Sequence, residues 1–544
     1  MEEETKGRPK NAVRKEMDQR DETAMSYKSR IINAFQRITV EPVMFMYMFA
    51  FSVTQVVEQA LFVDKACRVD FNISSDICAH LQEKQYEKEM VLVQSLVSEF
   101  HQYNNIAANV ATVLLALVLG SWSDAVGRKA PLLLGLFGKL YYSLMVVVNA
   151  AEWSGGSSWP LYTIIYSATL PSSITGADVA IFLGCFSYLA DITTAKDRTW
   201  RVAILDAVYL LTMPTGVALG AYLFAAWNRS FSALFSVNAA LLLAAIMYTL
   251  VRLEWKTAGK GSRREAETVE PDENTIEGSD HPTLLQEAEE EDHTKRNENS
   301  TPHEDIRGEK LIPDSQKGCF WKLFDYEHVV DLWKTVIRRR SGKRRAALLT
   351  VFLAMALYTF QRDERNMSYL YTQKEFNWDV QTFSNFRTVQ SALYVTATLI
   401  GLPLLSRKFG VRDTMIATFG AVSSSCARVT FGLVKNPDLF YLGAVFAAFA
   451  PVIPSVLRSM TSKLVPPSER GRVFAVLSSA DNAVPIVSGV MYSQLYNATL
   501  KTFPAAIFFL TLASQLSVLF LVLGIHHCLG GGKLEQATDD APSD

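Results

Sequence analysis

Apolar residues along the chain collect into blocks of about twenty, separated by short polar stretches and by one long charged one. A bilayer core about 30 Å thick needs roughly 20 apolar residues of helix, because an amide left unpaired in lipid finds no water to bond. Twelve blocks meet that length. Six precede the charged middle, at 42–63, 104–123, 131–151, 162–190, 200–226 and 231–252. Six follow it, at 346–371, 382–405, 413–434, 438–460, 472–496 and 503–526. The pattern predicts an all-α polytopic membrane protein with 12 transmembrane helices in two six-helix bundles, 42–252 and 346–526. Polar tails at 1–41 and 527–544 and a loop at 253–345 complete the chain.

The seventh block is the irregular one. AALLTVFLAMALYTF, residues 346–360, runs into QRDERNMSYLY. Fifteen helical residues rise only about 22 Å, so the span has to continue through Arg362, Asp363, Glu364 and Arg365 to about Tyr371. At about 100° per residue these four side chains point in four directions, and no rotation hides them all from lipid. Either this half of the span unwinds or faces a cavity, with Arg362, Asp363 and Arg365 binding an anionic solute or forming an outer gate, or the chain leaves early for the headgroups and the bilayer thins.

Charge sets the expected orientation. Loops after even-numbered blocks carry Arg128 and Lys129, Lys196, Arg198 and Arg201, the Arg338–Arg345 cluster, Arg407, Lys408 and Arg412, and Lys463, Arg470 and Arg472. Loops after odd-numbered blocks hold little beyond Arg229, Lys374, Lys435 and Lys501, the first of them balancing its bases with acids. Both termini and the middle loop are therefore expected in the cytosol. The glycosylation sequons at Asn72, Asn228 and Asn497 fall on the opposite side, where an acceptor must lie; Asn299, in the cytosolic loop, reads as a chance match. Cys67 and Cys78 share the first outside loop, where they either pair or remain two thiols. The long polar lead without a small-residue cleavage site argues against a cleaved signal peptide.

Composition adds exclusions. The chain is 49% apolar and 20% charged with a net charge of −2, which offers no global attraction for nucleic acid. No phosphate-binding Gly-rich loop with Lys, HExxH, CxxC or nucleophile elbow occurs, so neither enzymatic activity nor ATP-driven pumping is expected, and no cofactor or metal is implied. The middle loop, with EAEEED at 287–292, is expected to be largely disordered. Within it, DHPTLL at 280–285 has the form read by sorting adaptors, and 320–340 spaces bulky apolar residues as an amphipathic helix on the membrane face.

Ionisable groups inside spans are costly and face a cavity or a partner. The candidates are Glu58, Asp178, Asp206, Arg387, Arg428, Arg458 and Asp481. A carboxylate that alternates between cavity and partner takes up and releases a proton; the bland alternative is that such charges only pin helices together.

Two sequence repeats bear on the architecture. AKDRTWRVAIL at 195–205 and PSERGRVFAVL at 467–477 align without a gap, each opening the fifth span of its half. GSWSDAVGRK, between the second and third spans, places Gly120 and Gly127 for close approach and an unusual dihedral, with Asp124, Arg128 and Lys129 at the membrane boundary. Its spacing and position resemble the major facilitator superfamily. The matching stretch of the second half, PLLSRKFGVRD, keeps Gly410 and Arg412 but has Arg407 in place of the Asp. Within that superfamily, VEPVMFMYMFAF, LADITTAKDRTWRVAILDA, KLFDYEHVVDLW and PSVLRSMTSKLVPPSERGRVFAV resemble solute carrier family 46.

The resemblance implies a major facilitator fold and proton-coupled import of an organic, often anionic solute, folate-like or muropeptide-like, by alternating access across the plasma or an endosomal or lysosomal membrane. It implies a proton-coupling role for Asp206, proton and substrate binding for Arg458, gating for the turn motif, and an acidic function at Asp363. Family folate carriers have a histidine in span seven, where this chain has AMALYTF with Tyr358 nearby, and an outside cysteine where this chain has Asn377. Folate itself is thereby disfavoured, and pairing of Cys67 with Cys78 is the available alternative. The competing functional class is a transporter-shaped receptor or scaffold signalling through its cytosolic loop.

Overall fold

The computed structural model describes residues 38–151, 159–193, 195–255, 344–466 and 469–528. The predicted tails, DHPTLL, Asn299 and the 320–340 helix lie outside those residues. Regular structure among the described residues is helical: α1 (Glu41–Lys65), α2 (Glu87–Val126), α3 (Lys129–Ala150), α4 (Ile165–Ile192), α5 (Ala195–Ala226), α6 (Phe231–Arg252), α7 (Arg344–Phe360), α8 (Glu364–Phe376), α9 (Val380–Lys408), α10 (Asp413–Leu433), α11 (Pro437–Leu464), α12 (Arg470–Thr499) and α13 (Ala506–Cys528).

Local sequence explains several helix starts. Pro42 in the first turn of α1 costs no helical hydrogen bond. Side chains of Ser230, Asp379 and Asn436 accept from otherwise orphaned amides at the starts of α6, α9 and α11. Eight helices are long and apolar enough to cross a membrane on their own: α1 with its π-turn extension to Asp70, α3, α4, α5 from Arg201, α6, α9, α11 and α13. The remaining long stretches, α2, α7 with α8, α10 and α12, are more polar, and α2 and α12 pack on each other along the middle of the molecule.

The predicted spans need correction at three places. Residues 87–103, read from apolar length as part of an outside loop, form the first turns of α2 and bury Val93, Gln94, Val97, Ser98 and Phe100. Those positions recur at helical spacing, but the segment is too polar to pass a criterion built for lipid contact. Span four is not continuous: it breaks at Thr175 and Gly176, with positive φ at Gly176 and Ala177, before helix resumes at Ala177. Span seven is α7 and α8 joined by one 3-10 turn, Gln361–Asp363, and it runs on to Phe376. Asp363 and Glu364 are buried inside the protein, so the early exit to the headgroups does not occur.

The two halves meet through α2 against α12 and α5 against α9. One end of the molecule carries the bonded pair Cys67–Cys78, the other the Gly127 turn. At the disulfide end one apolar core spans both halves, joining Phe62, Val97 and Phe100 to Met367, Leu370 and Tyr492. Toward the turn end the core divides in two, one cluster within each half. Leu205 and Leu477, equivalent positions of the sequence repeat, are buried in those separate clusters.

Candidate functional site

Between the halves lies a cavity of about 240 Å³ lined by α1, α2, α3, α4 and α6 and by Arg362, Asp363, Asn482 and Pro485 of the second half. Its lining is rich in hydrogen-bonding groups for a protein interior. Asp178, held at the start of the resumed helix in α4, accepts from Tyr47 and pairs with Lys139 at 2.6 Å. Glu58 of α1 accepts from Tyr142 of α3. The sequence reading placed Glu58 among candidates without a partner; the structure puts it in the cavity with Asp178, and Lys139 acts on both. Lys139, Tyr47 and Tyr142 were missed. Lys139 is an ionisable group within a predicted span, so the rule that found the others reaches it.

The 3-10 joint in span seven resolves its four charges. Asp363 accepts from Asn105 of α2 at 2.7 Å and from Ser488 of α12. Glu364 turns the other way, to Arg428 of α10 at 3.2 Å, whose guanidinium also donates to Gln361 at 2.9 Å. Arg362 lines the cavity and acts on Asp178. Arg365 lies within electrostatic reach of Arg362 and of Tyr209, Tyr358 and Tyr394. A tighter local turn thus sends Arg362 to the cavity and Asp363 and Glu364 to separate partners, which a uniform 100° spacing does not allow.

Below the cavity, Arg458 of α11 is 3.6 Å from Asp481 of α12, which also accepts from Thr359 at 3.2 Å. The Arg458 side chain remains 55% exposed. Asp206 of α5, in the opposite half, faces Arg458 closely enough for their charges to interact, and it is exposed. One arginine is therefore addressed by a carboxylate from each half.

The turn motif is a brace. Lys129 donates to the carbonyls of Leu250 (2.9 Å) and Leu253 (2.8 Å), neutralising the carboxyl end of α6, and lies over the Trp255 ring. Arg128 bonds Asp191 at 3.0 Å, at the end of α4, and Ser123. The side chain of Asp124 lies outside the described residues. Gly127 has φ +107°, and a Cβ there would lie 2.4 Å from the Trp255 carbonyl oxygen; Gly120 has open space around it, so its expected close approach is absent. Gly127→Ala should therefore cost about 1–3 kcal/mol. Gly120→Ala should leave the unfolding midpoint of the purified protein unchanged, and equal loss in both variants would contradict this assignment.

Of the sequons, Asn72 and Asn228 are exposed in turns with positive φ. Asn497 lies in the last turns of α12, half-buried, its amide nitrogen 3.4 Å from the Ser95 carbonyl.

The chain matches the family model of the Major Facilitator Superfamily over residues 91–385 and 347–527. Among curated proteins it is 22% identical to the probable peptidoglycan muropeptide transporter SLC46 of Drosophila melanogaster, covering 86% of this chain and 81% of that one. It is 23% identical to the lysosomal proton-coupled steroid conjugate and bile acid symporter SLC46A3 of Gallus gallus (87% and 90% covered). It is also 23% identical to the proton-coupled folate transporter of Bos taurus (80% and 81%). Among solved structures, a D-xylose-proton symporter superposes with a TM-score of 0.57 at 12% identity, covering 89% of this chain and 96% of that one. A POT family transporter bound to a thioalcohol-conjugated peptide gives 0.57 at 11% (90% and 96%).

Proposed function

Because this chain belongs to the Major Facilitator Superfamily, we propose that it is a multi-pass secondary active transporter that imports an organic solute together with protons. Relatives named for muropeptides, for steroid conjugates and bile acids, and for folate support the substrate class, and two of those three names state proton coupling. The Lys and Arg bias assigns the turn end to the cytosol and the disulfide end to the outside or lumen. In this reading Asn72 and Asn228 are the usable glycosylation acceptors.

The observation that carries the proposal is the placement of Asp206 and Asp481 on opposite halves, both addressing Arg458. The halves are joined on the disulfide side by Gln94 to Leu370 and Gln373, Ser98 to Ser493 and Tyr496 to Gln94, and their cores are separate at the turn end. This is an inward-facing arrangement. Rocking the turn ends together brings Asp206 onto Arg458 and opens the disulfide side. A proton and solute arriving from outside then act on a closed Asp206–Arg458 pair. Protonated Asp206 no longer attracts the guanidinium, the turn end opens, and the low cytosolic proton concentration restores the carboxylate. Glu58, Asp178 and Asp363 line the solute's chamber and set its polarity.

Proteoliposomes with an acidic exterior should accumulate labelled solute above equilibrium, with folates and muropeptides as competitors. Uptake that is saturable but indifferent to the pH gradient would remove proton coupling; absence of any uptake would favour a receptor of the same shape.

A further inference from the structure

Charge is divided unevenly between the two halves around the central space. The first half presents Glu58, Asp178 and Asp206 against Lys139, whereas the second presents Arg362, Arg365, Arg387, Arg428 and Arg458 against Asp363, Glu364 and Asp481. Most of these groups are matched. Arg428 has Glu364, Arg458 has Asp481, and Arg362 acts on Asp178. Arg365 and Arg387 form no ion pair with any described carboxylate: the acids whose fields reach them are already held, Asp363 by Asn105 and Ser488 and Glu364 by Arg428, and the Arg387 side chain bonds only the neutral amide of Gln390.

Geometry places the two together. Tyr358, Arg362 and Arg365 follow one face across the joint from α7 to α8, and Arg387, Gln390 and Tyr394 follow one face of α9. One turn from each arginine, the rings of Tyr369 in α8 and Phe383 in α9 pack 5.2 Å apart, so the two helices lie side by side here. The charge of Arg365 acts on Arg387, Tyr394 acts on both, and Tyr209 and Tyr358 act on Arg365. The hydroxyls of Tyr209, Tyr358 and Tyr394 hold no hydrogen bond to any described residue. Two like charges inside a membrane protein repel, and uncompensated charge there is costly. An arriving oxyanion removes that cost, and guanidinium forks and phenol O–H groups are the donors suited to it.

We propose that Arg365 and Arg387, with Tyr209, Tyr358 and Tyr394, form the seat for the solute's anionic group, a carboxylate or sulfonate-type oxyanion. The solute's body then points toward the acid-rich chamber of the first half. This assignment rests on the transport reading for its physiological meaning, but the seat itself is a binding property. Substrate charge and proton coupling are thereby separated, the anion on the second half and the titrating Asp206 on the first.

The test is thermal unfolding of the full chain in nanodiscs, with no transport required. The probes are benzoate and benzenesulfonate against their uncharged twins benzamide and benzenesulfonamide, at matched ionic strength. The two anions should raise the unfolding midpoint and the amides should not; a response to one anion alone tells carboxylate from sulfonate and still supports the seat. Arg365→Gln and Arg387→Gln should each abolish the anion effect and, by relieving repulsion, raise the ligand-free midpoint by about 2 °C. Lys435→Gln, an exposed control, should change neither. No anion effect in the wild type, an effect that survives both Arg variants, or a lowered ligand-free midpoint in both would overturn the proposal. A chain that binds the anions yet moves nothing into liposomes would keep the seat and lose the transporter reading.

Discussion

Asp206→Asn should abolish acid-stimulated uptake, lowering transport at acidic exterior pH by roughly tenfold toward the neutral-pH rate, a factor typical of one lost coupling interaction. The carboxylate is exposed, makes no hydrogen bond to any described residue and meets only the field of Arg458, so its loss should spare folding and delivery to the membrane. Asparagine preserves size and removes both charge and proton. Arg458→Gln should reproduce the defect, and combining the two should add little, because both act through one contact. Asp481→Asn should be distinguishable: Asp481 holds Arg458 at 3.6 Å within its own half, so its loss leaves the arginine free to stay with Asp206 and slows opening toward the cytosol. Uptake by Asp206→Asn that remains fully stimulated by acid, at normal surface level, would take this residue out of the coupling mechanism.

Gly220→Val should remove nearly all folded protein. In α5 a Cβ at Gly220 would lie 2.0 Å from the carbonyl oxygen of Val53 in α1, and one at Gly216 would lie 2.5 Å from Ser52. The obstruction at Gly220 is backbone, so no side chain can rotate out of the way, and α1 and α5 would have to separate along one of the most extensive contacts of the first half. Overpacking of this kind costs about 1–3 kcal/mol for a few methyl groups and more where the backbone must move. Gly524→Val in α13, where nothing lies within 4 Å, is the matched control. The measurement is the monodisperse fraction after detergent extraction; equal recovery of the two variants would mean that α1 and α5 are not packed this closely.

Much of the architecture was legible in the chain because lipid imposes one rule everywhere: about twenty apolar residues per crossing. Where helices face protein or the central space instead, that rule loses its grip. By apolar length residues 87–103 read as loop, yet α2 begins at Glu87; by the same measure span four reads as continuous, yet it breaks at Gly176. The candidate site followed the same division. Asp178, Asp206, Asp363, Arg458 and Asp481 stood out as charges in apolar surroundings, yet nothing in the order of residues ties Asp178 to Lys139 and Tyr47, or Glu58 to Tyr142. Arg428 was noticed alone; its pairing with Glu364 spans 64 positions.

By itself, then, the sequence determined a membrane-embedded helical chain in two halves, with charge inside its spans and the motif of its superfamily at one turn. Periodicity and apolar length are local properties, and local properties are written in consecutive residues. Only the tertiary structure decided which charges meet, that the core is continuous at the disulfide end and divided at the turn end, and that Arg365 and Arg387 form no ion pair with a described carboxylate. Those are sums over side chains brought from distant positions, and the net charge of a buried cluster exists only once its members share the same low-dielectric space.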